Sequence, residues 1–239
     1  MVSRADEIIA ETAQLADPDR AAGSARFFKT GPGEYGEGDS FIGVTVPQLR
    51  KVAKRCRDVD AATIDTLLAS PIHEHRLIAL FLLRAEFDRA SGDAAAEWVE
   101  HYRDAIDRGC VDNWDLVDAS ADSVLGRWLV DQGDHRPLVE LAADQRLWHR
   151  RVGIVGTFAF LKVGDPDATL AVVPVVLADR RDLIQKATGW MLRELGKRVD
   201  RDLLTGFLAD NAAQMGRTAL SYAIEHLDVD ERAHYRSLR

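Results

Sequence analysis

The sequence predicts an all-α fold made of stacked antiparallel helix pairs, and three observations carry that prediction. Apolar residues recur at helical spacing through nearly the whole chain, with no long alternating pattern to suggest a sheet. Gly, Pro and Asp punctuate it at short intervals, as at Gly133-Asp134, Gly164-Asp165-Pro166 and Asp210-Asn211. Similar helix starts also return at a nearly fixed interval. With Arg76, Asn113, Arg151, Lys186 and Arg217 as markers, the spacings are 37, 38, 35 and 31 residues. That is the period of helical-hairpin repeats of the HEAT or armadillo sort.

Taken in order, Ile8, Ile9, Thr12 and Leu15 outline a first helix. Lys29 to Asp39 contains Gly31, Pro32, Gly33, Gly36 and Gly38, which forbid a helix, so residues 29–40 read as an irregular loop. Val46, Leu49, Val52 and Ala53 mark the next helix, and Leu77, Leu80, Phe81 and Arg84 mark one that Pro71 precedes. Four apolar helices open with a basic residue in the first turn, at Arg76, Arg151, Lys186 and Arg217. Stacked repeats form a superhelix that lines up equivalent residues along one concave face, so these four cations are expected there. The same residues would also serve as an ordinary solvated surface. Residues 1–239 read as a single repeat domain.

Composition narrows the function. The chain has 239 residues and a formal charge of -8, which argues against a non-specific nucleic-acid binder. Between Arg136 and Arg201, however, twelve Lys and Arg face eight Asp and Glu, so this quarter stands at +4 and the remainder at -12. Two cysteines, Cys56 and Cys110, are too few for a disulfide framework, and no CxxC or HExxH spacing is present, so neither metal nor cofactor is expected. Cys110 lacks the basic neighbours of a nucleophile. The first ten residues lack the apolar run of a secretory leader and no later run would span a bilayer, so a cytoplasmic protein without membrane contact is expected. Trp98 and Trp128 sit in apolar helical patterns and read as core.

The most informative stretch is Val111-Asp112-Asn113-Trp114-Asp115-Leu116-Val117-Asp118. Asn113 can cap a helix, and the i,i+4 spacing then puts the Trp114 ring and the Asp118 carboxylate on one face. Such a pair can bracket a cationic substrate through π contact and charge. It equally fits a capped helix with a core Trp and solvated acids. A second stripe holds Lys186, Trp190, Arg193 and Lys197 at i, i+4, i+7 and i+11, which suits phosphate contact or a core Trp ringed by snorkelling cations.

With these motifs in view, the chain resembles the DNA alkylation repair enzymes of the AlkD type, HEAT-repeat glycosylases that excise positively charged alkylpurines. The likeness runs from about Phe27 to about Leu227. It rests on Phe41-Ile42-Gly43-Val44-Thr45-Val46-Pro47, Asn113-Trp114-Asp115-Leu116-Val117-Asp118, Trp148-His149-Arg150-Arg151, and Gln185-Lys186-Ala187-Thr188-Gly189-Trp190-Met191-Leu192-Arg193-Glu194. The resemblance implies that Asp118 is the catalytic carboxylate and that Trp114 and Trp190 flank the lesion. It implies that Arg151 grips the DNA backbone nearby, with Arg150 the alternative one residue away. The family leaves the damaged base largely stacked in the duplex. Gly31 to Gly38 belongs to only part of the family, so no lesion contact is carried over from that segment.

The chemistry suits these residues. An N3- or N7-alkylated purine is already a cationic leaving group, so one ionised carboxylate can stabilise the oxocarbenium-like sugar and position water. Asp115, three residues before Asp118, reads as N-terminal helix stabilisation. Arg76, Arg151, Lys186, Arg193 and Lys197 are expected on phosphates, with Arg217 and Thr218 extending the track. No Lys or Pro is placed for Schiff-base chemistry. The expectation is a monofunctional, monomeric glycosylase acting on duplex DNA with alkylated bases. The alternatives are a HEAT-repeat protein that binds duplex, branched or distorted DNA without cutting it, and a scaffold for an acidic or peptide partner.

Overall fold

In the computed structural model, which describes residues 2–238, the chain is helical almost throughout, and among those residues the β-structure is an isolated parallel bridge between Ser40 and Ile72. The packing divides it into two compact units, 1–120 and 121–239.

The first unit holds α1 (Arg4–Ala13), α2 (Pro18–Phe27), α3 (Val46–Arg55), α4 (Ala61–Leu68), α5 (His73–Arg89), α6 (Asp93–Asp107) and α7 (Trp114–Ser120). Local chemistry sets several of the starts. Ser3 and Asp6 form a capping box, Asp60 accepts from the Thr63 amide, and Asp17 caps a helix that opens on Pro18. Leu15 lies two residues past the end of α1. The glycine-rich residues 29–40 form the expected run of turns. At the centre is α5, buried without interruption from His73 to Leu83, against which α3, α4, α6 and α7 all pack. From Leu77 to Leu83 the helix is apolar on every side, which requires enclosure of this kind.

The second unit opens with a π-helical segment, Asp122–Gly126, followed by α8 (Arg127–Gln132), α9 (Arg136–Ala143), α10 (Leu147–Gly156), α11 (Phe158–Lys162) and α12 (Asp167–Val176). Then come α13 (Asp182–Arg198), α14 (Arg201–Asn211), α15 (Arg217–Ala223) and α16 (Val229–Ser237). Here α13 takes the central place and packs on α10, α11, α12, α14 and α15. Its contact with α15 is close because Gly189 has no side chain: a Cβ there would lie 2.3 Å from the Ala219 carbonyl oxygen. Paired neighbours such as α4 with α5 and α9 with α10 make each unit a stack of helical hairpins, as the period predicts. No helix among the described residues is long and apolar enough to cross a membrane.

Candidate functional site

The first turn of α7 is fixed by Asn113, which is fully buried. Its side-chain oxygen accepts from the Trp114 amide at 2.8 Å, so the helix begins at Trp114. The amide group of the same side chain donates to Asp39 at 3.1 Å, tying the helix start to the end of the glycine-rich loop. Trp114 and Asp118 follow one turn apart on α7, both half-buried.

Behind this turn lies a buried polar cluster. His73 is 2% exposed, and its ring nitrogens face two carboxylates: Nδ1 is 2.7 Å from Asp39 and Nε2 is 2.9 Å from Asp115. Burial alone would lower the His73 pKa, but the hydrogen bonds to Asp115 and Asp39 override it and raise the pKa to about 9. Asp39 also accepts from Arg76 at 2.8 Å. Burial pushes the Asp39 carboxyl up, and His73, Arg76 and Asn113 together bring it below its ordinary value. Asp112 lies 3.1 Å from Arg76, near enough for an ion pair though not aligned for a hydrogen bond, and burial outweighs that attraction to raise its pKa. Asp115 therefore does more than support its own helix. It is the anchor by which α5 holds α7.

An aromatic stack covers the cluster. Phe28 lies parallel to Trp114 with centroids 5.3 Å apart, and Phe41 stacks on Phe28 at 5.0 Å and on the His73 ring at 4.6 Å. Phe27, 65% exposed, meets Trp114 edge-on at 5.9 Å. Phe41 is held by its own segment: the Glu74 carboxylate accepts from the amides of Ile42, Gly43 and Val44, the shortest at 2.7 Å from Gly43. Gly43 has φ +79°, and a Cβ there would lie 2.1 Å from the Asp17 carbonyl oxygen. The motif Phe41 to Pro47 is thus a fastening for the aromatic stack.

The remaining expected site residues differ in setting. Arg76 is buried in the Asp39 cluster. Arg150 pairs with Asp179 at 2.9 Å and donates to the Asp144 carbonyl. Arg151 is 4% exposed and donates to the Leu183 carbonyl at 2.5 Å. On α13, Trp190 is half-buried and tilted against Phe158 at 5.6 Å. Lys186 pairs with Asp182 at 2.8 Å, Arg193 pairs with Glu225, and Lys197 is exposed. Arg217 is exposed beside half-buried Thr218 and lines a cavity of about 400 Å³ with Leu220, Ser221 and Arg236. Trp98 and Trp128 are half-buried, each less enclosed than a core residue. Burial raises the thiol pKa of Cys110, which disfavours its thiolate.

Sequence reasoning missed His73, Asp39, Phe28 and Phe41. His73 is one of seven histidines, none in an HExxH spacing, and its partners stand 34 and 42 residues away. The available signal was a buried-helix pattern beginning on a titratable residue, which requires charged partners from elsewhere.

The family model for DNA alkylation repair enzymes matches residues 8–227. The chain belongs to this family. A solved structure described as a predicted DNA alkylation repair enzyme from Enterococcus faecalis shares the fold, with a TM-score of 0.67 at 18% identity, over 90% of this chain and 98% of that one. No curated protein matches the chain. As a member of the DNA alkylation repair family, it has DNA as its implied substrate or partner.

Proposed function

We propose that this DNA alkylation repair protein is a monofunctional glycosylase that excises N3- and N7-alkylated, positively charged purines from duplex DNA. The observation that carries the reading is the pairing of Trp114 with Asp118 on a helix whose first turn is held by His73, Asp39 and Asn113. A site that stabilises charge must hold its groups still before the reaction. Asp115 is committed to His73 as a structural contact, and the family's motif puts Asp118 in the place of the carboxylate that meets the substrate.

In this reading the Trp114 ring contacts the cationic base and the deoxyribose, while the Asp118 carboxylate stabilises positive charge on the sugar and orients water at its anomeric carbon. The glycosidic bond breaks with its electron pair leaving on the purine, whose positive charge makes protonation unnecessary. The two units work as one repeat domain and as a monomer, in the cytoplasm and on the nucleoid.

The test is release of free 3-methyladenine and 7-methylguanine from methylated duplex DNA by wild type and Asp118→Asn. The wild type is expected to release both, and Asp118→Asn to be slower by about a hundredfold or more. Duplex binding without release by the wild type would make the protein a non-catalytic DNA binder. Equal release by both proteins would remove Asp118 from the reaction.

A further inference from the structure

Four cations gather on the first unit at a place outside the expected phosphate track. Arg50 and Lys54 stand one turn apart on α3, Arg57 follows its C-terminal end, and Arg84 reaches in from α5. They line a cavity of about 300 Å³ together with Phe81, and the Arg50 guanidinium lies 4.5 Å from the Phe81 ring centroid. That contact braces a planar cation at the cavity wall. Asp88 also lines the cavity, 3.7 Å from Arg84 with both side chains exposed. Among the described residues no carboxylate is ion-paired with Arg50, Lys54 or Arg57.

The expected track is mixed. Arg76, Arg150, Lys186 and Arg193 each have a carboxylate partner, so a phosphate reaching them must displace an anion, whereas Lys197 and Arg217 are exposed with no ion pair among the described residues. Cations near the end of α3 also offset its helix dipole, which accounts for Lys54. It does not account for Arg84 from another helix, or for convergence on one cavity.

We propose that the α3–α5 cavity binds a backbone phosphate of duplex DNA and contributes more lesion-independent affinity than Lys186 and Arg193 do. This rests on the reading that the protein binds duplex DNA. Each phosphate neutralised releases counterions, so the site should be visible in the salt dependence of binding.

The experiment is anisotropy titration of the full chain with an unmodified labelled duplex over a range of chloride concentrations. Arg50→Ala/Lys54→Ala/Arg57→Ala should bind about tenfold or more weakly, with a salt slope shallower by about 0.9 for each phosphate the variant leaves unneutralised. Lys186→Ala/Arg193→Ala should weaken binding less. Because Arg50 also covers Phe81, Lys54→Arg/Arg57→Lys, which leaves that contact in place and keeps the charge, serves as the folded control; it should bind within about threefold of wild type. An unchanged slope in the triple variant, in a protein whose wild type binds duplex, overturns the proposal. So does binding of inorganic phosphate that is lost in the triple variant but leaves wild-type affinity for the duplex unchanged at matched ionic strength, which would make the cavity a site for free phosphate alone. Absence of salt-sensitive duplex binding by the wild type would instead sink the DNA reading itself.

Discussion

With a carboxylate within hydrogen-bond distance of each ring nitrogen, His73 can donate to both only as the imidazolium, because a neutral ring has one N–H. Replacing it with glutamine leaves Asp39 and Asp115 buried with less compensation. Removing one partner of a buried charge pair costs on the order of 3 kcal/mol, so His73→Gln should lower the urea midpoint by a matching amount. An unchanged midpoint would mean that the cluster is solvated well enough not to need the cation. Gly43 is a second position where one side chain decides the outcome. Its left-handed backbone and the 2.1 Å approach to Asp17 both exclude a Cβ, so Gly43→Ala should destabilise by about 2 kcal/mol or more, again read from the urea midpoint. Stability equal to wild type would show that the Asp17 turn yields easily.

Elements show what could be read from sequence and what could not. The start of α7 at Trp114 was legible because Asn before an apolar period is a local signal, and the Trp114–Asp118 face follows from helix geometry alone. The α13 stripe was legible for the same reason, since its period survives in Lys186, Trp190, Arg193 and Lys197. What periodicity cannot supply is the partner across space. Asp182, Glu225 and Asp179 neutralise cations that the sequence offered to phosphates, and the choice between the two depends on tertiary packing. Glu74 is another such case: a first-turn acid by sequence, it proves to be the acceptor for three amides of the segment that carries Phe41. Hydrogen bonds to a charged acceptor contribute about 1.5–3 kcal/mol each. Glu74→Gln should therefore speed amide exchange at Ile42, Gly43 and Val44 by about tenfold or more, measured by hydrogen exchange with the second unit as internal reference. Equal exchange in both proteins would mean that the amide oxygen of glutamine holds the segment as well as the carboxylate does.

For the whole molecule, the buried cluster makes folding stability depend on pH, with a sign that can be worked out. His73 has a folded pKa of about 9 against an ordinary value of 6.5, so between these values the native state holds a proton that the unfolded chain has released. Its contribution is complete below about pH 6.5 and is lost as the pH rises through 9. Asp39 acts in the opposite sense: its folded pKa lies below the ordinary value, so its contribution is present above pH 3.8 and fades as the pH falls further. Asp112, raised by burial, acts in the sense opposite to Asp39: its burial costs stability while it is ionised, and acidification relieves that cost. Thermal unfolding followed from pH 6.5 to 9 should therefore show a falling midpoint in the wild type. His73→Gln should start lower and stay nearly flat over that interval, since it has no proton to lose there. If the two proteins instead fall in parallel, the alkaline loss belongs to other groups and His73 is not held as an imidazolium. If the wild type alone falls, the charge that fixes Trp114 and Asp118 on α7 is also the charge that sets the alkaline boundary of the fold.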